Sequence, residues 1–227
     1  TREQKTFINK IRKKQEFNND QKILSAMNSF SNLKVLVIGE TIIDEYVYCE
    51  ALGKSGKEPI LVLRDLNKER YLGGTAAIAR NLSSFCKQIT LLTGIGQRSE
   101  EKKFIKNNLQ KNIKTIFLNK KKSPTIIKKR FIEHINKTKI FGLYSLNDQP
   151  LDLEQEKIFN NKVSKYINSH DLVIVSDYGH GLISDRTAKL IVKKSKFVAV
   201  NTQLNSSNLG FHVISKYLGA NLITINE

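Results

Sequence analysis

Gly73-Gly74-Thr75-Ala76-Ala77-Ile78-Ala79 follows an alternating apolar stretch and opens a helix-like run. Without side chains the two glycines let a ligand approach the backbone closely, and the helix they open presents unpaired N–H groups and a positive dipole end to hydroxyls or phosphates. Paired glycines can equally serve a turn or close packing. The chemistry therefore depends on which polar groups the fold brings beside them. Asp44 is one candidate, because a carboxylate only accepts hydrogen bonds and suits a polyol; the alternative is a helix cap or a turn residue. Asp177, in Asp177-Tyr178-Gly179-His180-Gly181, could hold a water or metal ion near phosphates, or cap the turn through its glycines. His180 reads as a loop residue, since no Ser or Cys nucleophile motif and no metal-ligand partner accompanies it. Lys129 and Arg130 could meet a phosphate on the ligand or form a solvated strand edge.

These groups need elements to place them. Leu33 to Ile38 predicts a core strand ending at Gly39, with Glu40 and Asp44 in the loop beyond it. Glu45 to Glu50 and Ile60 to Asp65 predict short β pieces around Gly53-Lys54-Ser55-Gly56, a small flap returning to the sheet at Tyr71-Leu72. A helix from Gly73 to about Phe85, a strand from Gln88 to Thr93 and a helix from about Ser99 to Lys111, capped by Ser99, make a βαβ unit. Lys114 to Leu118, Thr125 to His134 and Lys139 to Leu146 read as strands, the last two as a hairpin around Asn136-Lys137. Helices at Leu153–Asn168 and Ser184–Lys194 then alternate with strands at Asp171–Ser176, Phe197–Asn201 and Asn221–Ile225. Such alternation predicts an α/β fold with a mostly parallel sheet covered on both faces. In such sheets ligands bind at the carboxyl ends of strands, which selects Glu40 and Asp44, Gly94 to Gly96, the Asp177 loop, Asn201-Thr202-Gln203 and Asn226-Glu227.

At 227 residues and 40% hydrophobic, the chain has room for one large α/β domain or a domain with a subdomain. Its apolar runs fall far short of the ~20 residues that span a bilayer, and no secretory signal opens it, so the expected address is cytoplasmic, without a membrane. Cys49 and Cys86 lack metal-ligand spacing and exclude a disulfide scaffold. The net charge of +17 raises the question of nucleic acid, but the lysines are spread over nearly every segment. No aromatic-interleaved basic stripe or recognition motif accompanies them, so compositional bias is the preferred explanation. Thr1 to about Ser31 reads as a basic helical linker or the tail of an upstream domain, and 32–227 as the main domain.

Four stretches, in order, resemble the PfkB (ribokinase-like) carbohydrate kinases, and among them the bacterial D-glycero-β-D-manno-heptose-7-phosphate kinases of ADP-heptose synthesis. They are Val35 to Tyr46, Tyr71 to Leu82, Val175 to Gly181 and Leu222 to Glu227. The resemblance implies a Rossmann-like three-layer sandwich with a small β lid, from strands at about 45–72 and 125–146, and with the carboxyl-terminal part missing. It implies ATP-dependent phosphorylation of a sugar or sugar phosphate, with ATP and Mg²⁺ as cofactors. Asp44, Gly73, Gly74, Thr75, Arg130 and Asp148 would then bind substrate, while Asp177, Asn201, Asn226 and Glu227 would lie toward phosphate and Mg²⁺ without a direct metal ligand among them. The catalytic aspartate would lie downstream, in a Gly-Ala-Gly-Asp motif that these residues lack, leaving the fragment inactive. A homodimer through the lid and a fused upstream nucleotidyltransferase are further implications. Three departures stand out: Ala77 for the family's usual asparagine, Glu40 for the heptose kinases' aspartate, and Asn201-Thr202-Gln203 for their Asp-Pro-Lys. The competing readings are a non-catalytic sugar- or nucleotide-binding module and a basic nucleic-acid-binding protein.

Overall fold

The structure is a computed structural model that describes residues 20–203 and 214–225. Most of the expected linker, and the candidates Asn226 and Glu227, lie outside the described residues. The elements in chain order are α1 (Asp20–Phe30), β1 (Lys34–Lys54), β2 (Leu61–Gly73), α2 (Gly74–Leu82), β3 (Gln88–Gly96), α3 (Lys102–Asn107) and β4 (Ile113–Lys120). They continue with β5 (Ile126–Glu133), β6 (Lys139–Ser145), α4 (Leu153–Ile167), β7 (Leu172–Asp177), α5 (Asp185–Lys194), β8 (Val198–Thr202), a 3₁₀ turn (Ile214–Tyr217) and β9 (Leu222–Ile225).

Among the described residues the main sheet runs β4-β3-β1-β7-β8-β9, and every pairing along that path is parallel. Its strands are apolar on both sides because helices cover both faces. On one face Leu36, Ile38, Val173 and Val175 meet Phe159, Val163 and Ile167 of α4 and Ala188 and Ile191 of α5. On the other, Val35, Val37, Ile89 and Leu91 meet Ala76 and Ala79 of α2 and Ile105 of α3. This is the expected three-layer arrangement. Two caps help fix it: Asp152 accepts the Gln155 N–H at 2.7 Å at the start of α4, and Ser184 accepts the Thr187 N–H at 3.1 Å at the start of α5.

Two expectations are corrected. The first strand does not stop at Gly39: β1 runs through Lys54, so Glu40 and Asp44 lie within a strand. From Val35 to Ile43 its residues are buried without a break, and beyond that Glu45, Val47 and Cys49 stay buried while Asp44, Tyr46, Tyr48 and Glu50 are half-buried. One strand thus serves first a two-sided core and then a second sheet with a half-open face. That second sheet is the lid, with β2 antiparallel to β1, β5 parallel to β1 and β6 antiparallel to β5. The second correction concerns the helix expected over Ser99–Lys111, which is only Lys102–Asn107. Ser99 has φ +55, outside the extended geometry of a cap, and Asn107 and Asn108 form helices poorly.

Candidate functional site

Asp44 and the glycine pair converge, and the register of the lid is what brings them together. β1 pairs β2 with Ile42 opposite Gly73 and Asp44 opposite Tyr71. The Asp44 carboxylate folds back onto Gly73 so closely that a β-carbon there would collide with its Oδ2. Gly74 has φ +58, a conformation that side chains rarely adopt, and a β-carbon there would strike the Glu40 carbonyl. Only glycine fits at Gly74, while a side chain at Gly73 would have to displace the Asp44 carboxylate. Gly73 carries no side chain to cap α2, so the first N–H groups of that helix have no side-chain partner at its start. The Thr75 hydroxyl faces inward, at 3.5 Å from the Thr41 hydroxyl and 3.4 Å from that of Thr93, and the whole residue is buried, so the sequence-predicted substrate contact at Thr75 is closed off in this structure.

The lid supplies the cations. Asp44 pairs with Lys128 of β5 in register, and Tyr46 with Arg130, so all four share one face. Arg130 Nη1 donates to Asp44 Oδ1 at 2.5 Å, and its guanidinium lies 5.6 Å from the Tyr46 ring and 6.0 Å from the Tyr144 ring. Tyr46 meets Tyr71 edge-on at 5.9 Å. The result is an aromatic-walled shelf with a carboxylate, a guanidinium and an ammonium, roofing a glycine helix start. Such a surface can hold a small polar molecule by its hydroxyls and by any anionic group it carries.

The remaining candidates lie along the carboxyl rim of the main sheet. Asp177, 1% exposed, accepts the Gly179 N–H at 3.0 Å, the Tyr217 hydroxyl at 2.6 Å and the Lys216 ammonium at 2.6 Å. It caps its glycine turn and ties it to the 3₁₀ segment; burial and the Asp177 charge push the Tyr217 phenol far above its ordinary pKa. Asn201, at the end of β8, gives its amide to the Thr224 carbonyl at 2.9 Å. Asp148, past β6, accepts from His180 Nδ1 at 2.6 Å. Among the described residues no group of three or more His, Cys, Asp and Glu is placed to hold a metal ion, and no helix is long and apolar enough to cross a membrane.

No family model matches the chain. Bifunctional protein HldE of Campylobacter jejuni subsp. doylei is 29% identical over 194 residues, spanning 86% of this chain and 40% of that protein. D-beta-D-heptose 7-phosphate kinase of Bordetella bronchiseptica is 27% identical over 86% of this chain and 59% of its own length. The chain therefore spans 40% of the one curated relative and 59% of the other. Among solved structures, Arabidopsis thaliana ribokinase, complexed with ribose and ATP, superposes with a TM-score of 0.55 at 14% identity, over 86% of this chain and 61% of the ribokinase. The tetrameric inhibited form of Escherichia coli phosphofructokinase-2 gives 0.61 at 11% identity over the same shares.

The chain has the ribokinase-like fold, and its relatives include bifunctional HldE proteins and a D-beta-D-heptose 7-phosphate kinase.

Two features of this ribokinase-like chain were hidden in its sequence. The first is Lys128. The pair singled out beforehand, Lys129 and Arg130, points to opposite faces, and Lys129 binds Glu45 at 3.0 Å on the far side of the lid. Lys128 is the residue that shares the Asp44 face, and its strict alternation with Lys129 was the available signal. Burial and the neighbouring Arg130 lower its pKa. The second is the buried network at the lid base. Glu40, 3% exposed, accepts the N–H groups of Tyr178 at 3.0 Å, His180 at 3.2 Å and Leu182 at 3.4 Å, so it organises the Asp177 loop from within β1. Burial and the adjacent Asp177 charge raise its pKa to about 7, against the pull of those N–H bonds. Lys120 donates to the carbonyls of Asn147 at 2.6 Å and His180 at 2.8 Å, locking the end of the lid to the Asp177 loop. The His180 side chain is fully buried, and desolvation lowers its pKa although Asp148 opposes this.

Proposed function

We propose that this chain is the sugar-binding part of an ATP-dependent sugar or sugar-phosphate kinase, with a heptose phosphate as the substrate. The observation that carries the reading is the Asp44 carboxylate lying against the bare Gly73 backbone under a cationic, tyrosine-walled lid. Asp44 would accept hydrogen bonds from sugar hydroxyls, the amides opening α2 would donate to others, and Arg130 and Lys128 would receive the phosphate already on the substrate. Lid strands β2, β5 and β6 would shield the site from water, which otherwise competes for a phosphoryl group.

ATP would supply the phosphoryl group and Mg²⁺ would offset its charge. The described residues offer no clustered metal ligands, and Asp177 is engaged by Lys216 and Tyr217. The chain also lacks a Gly-Ala-Gly-Asp sequence, from which the resemblance expects the anion hole and base. In this reading residues 1–227 bind the sugar, and transfer needs further residues. A fused nucleotidyltransferase and a dimer through the lid, whose Leu52, Leu61, Leu66 and Leu143 are exposed, extend the same reading.

The test compares the 227-residue chain with the product of its whole reading frame, using ATP, Mg²⁺ and a panel of sugars and sugar phosphates. Binding by both and phosphorylation only by the longer product is expected. Transfer by the 227 residues alone would refute the division of labour, and absence of sugar binding by either would refute the sugar site. Salt-dependent binding of the 227-residue chain to generic duplex, with no sugar binding, would favour the nucleic-acid reading instead.

A further inference from the structure

The carboxylate best placed to take a sugar hydroxyl is covered. Arg130 holds Asp44 Oδ1 at 2.5 Å with both side chains about three-quarters buried, while Gly73 lies against the other oxygen. A neutral sugar hydroxyl taking the position on Asp44 Oδ1 that Arg130 holds must break a charge-assisted bond and leave Arg130 with nothing in return, which is costly in a partly desolvated site. Lys128 beside it is half-buried, and its ammonium lies over the Tyr144 ring at 5.8 Å rather than against a carboxylate. The carboxylates whose charge it feels are Asp44, Asp148 and Glu40, and each has another partner: Arg130, His180 and three backbone N–H groups respectively. The lid face thus holds one cation committed to the sugar-binding carboxylate and a second that, among the described residues, has no anion of its own.

We propose that Arg130 is a specificity-determining cover on Asp44, removed by a phosphorylated sugar and not by its neutral parent: the substrate's phosphate, received by Lys128, draws the guanidinium off Asp44 and frees the carboxylate for the sugar hydroxyl. The inference rests on the reading of Asp44 as the hydroxyl acceptor. A phosphate carries up to two negative charges near neutral pH and strong acceptor oxygens, so it can replace the bond that Arg130 gives up, whereas a hydroxyl cannot. Tyr46 and Tyr144 flank the guanidinium in the covered position and offer their faces to it as it moves. Selection for phosphate is in this way coupled to exposure of the group that selects for the sugar.

The experiment is calorimetric titration of the 227-residue chain with sedoheptulose and sedoheptulose 7-phosphate, and with mannose and mannose 6-phosphate, in wild type, Arg130→Gln, Lys128→Gln and Asp44→Asn, each checked for an unchanged far-UV spectrum. Wild type is expected to prefer the phosphorylated member of a pair. Arg130→Gln should move the two members in opposite directions, strengthening the neutral sugar by about fivefold and weakening the phosphate by at least about tenfold. Lys128→Gln should weaken only the phosphate. If Arg130→Gln leaves the neutral sugar unchanged or weaker while Asp44→Asn still abolishes binding, the cover is overturned and the sugar site survives. If Asp44→Asn changes nothing, or wild type binds no member of either pair, the sugar site falls and the cover with it.

Discussion

Asp44 and Glu45 are neighbours in β1, and their carboxylates face opposite sides of the lid. Glu45, 3% exposed, is met by Lys68 at 3.0 Å, Lys129 at 3.0 Å and Arg70 at 3.3 Å, and Arg70 reaches on to Glu101 at 2.6 Å. Burial alone would raise its pKa, but the hydrogen bonds and charges of Lys68 and Lys129 prevail and hold it below the ordinary value. Asp44 has one cation, lies partly open, and touches a glycine chosen for its lack of bulk. The same lysine- and arginine-rich strands therefore surround one carboxylate with three cations on one face and pair the other with a single guanidinium on a partly exposed face. Three cations around one acid tie the strands together on the first face; on the second, Arg130 alone meets Asp44, and Lys128 stands beside the pair.

Removing each carboxylate separates the two roles most sharply. Glu45→Ala leaves three cations around an empty, buried position, and should cost about 3 kcal/mol of stability, the lower end for breaking a buried pair because the cations can turn partly toward water. Asp44→Asn should cost less, about 1 kcal/mol, since its pair is about a quarter exposed and Asn keeps an acceptor oxygen for Arg130, yet abolish sugar binding. Urea unfolding and calorimetry on the same two proteins check both halves. Equal losses of stability would show that the two faces do the same work.

Glu40, the third acid of β1, extends the comparison to a carboxylate held by peptide N–H groups. Its pKa is raised from 4.5 to about 7, so the folded chain holds a proton that the unfolded chain has already lost over that interval. Stability should therefore fall as pH rises from about 4.5 to about 7, by on the order of 3 kcal/mol, and level off above. His180 works the other way. Its folded pKa lies below the ordinary 6.5, so its contribution is present above that value and is lost as pH falls through it. Glu40→Gln should remove the first slope and His180→Asn the second, read from melting temperatures across pH 4 to 8; a slope that survives its own substitution would assign it elsewhere.

Much of the main sheet was legible because its strands are short apolar runs between helices with caps, and buried parallel strands need no finer pattern. The convergence of Asp44 with Gly73 and Gly74 was legible too, through their resemblance-bearing stretches. Less visible was anything set by register. Glu40 and Asp44 read as loop residues because Gly39 and the acids after it look like a strand end; only pairing with β2 and β5 carries β1 on to Lys54. Lys128, Lys129 and Arg130 are three adjacent cations, and which of them faces Asp44 depends on a parity that composition does not reveal. The Glu40 network was out of reach for a different reason: its partners are backbone N–H groups of residues 178 to 182, which carry no side-chain signature.

That parity gives the smallest and cleanest contrast. Lys129→Gln removes one of three cations from Glu45, and the other two remain, so it should cost only about 0.5 to 1 kcal/mol and leave phosphate affinity untouched. Lys128→Gln removes a half-buried ammonium that has no carboxylate of its own, so stability should stay level or rise by a few tenths of a kcal/mol, while affinity for inorganic phosphate or a sugar phosphate falls. The two substitutions are chemically identical and adjacent in the chain. Any difference between them can come only from the face on which each lysine lies, and a result in which both lower phosphate affinity alike would mean that the cations of the lid act as a diffuse positive surface rather than as a site.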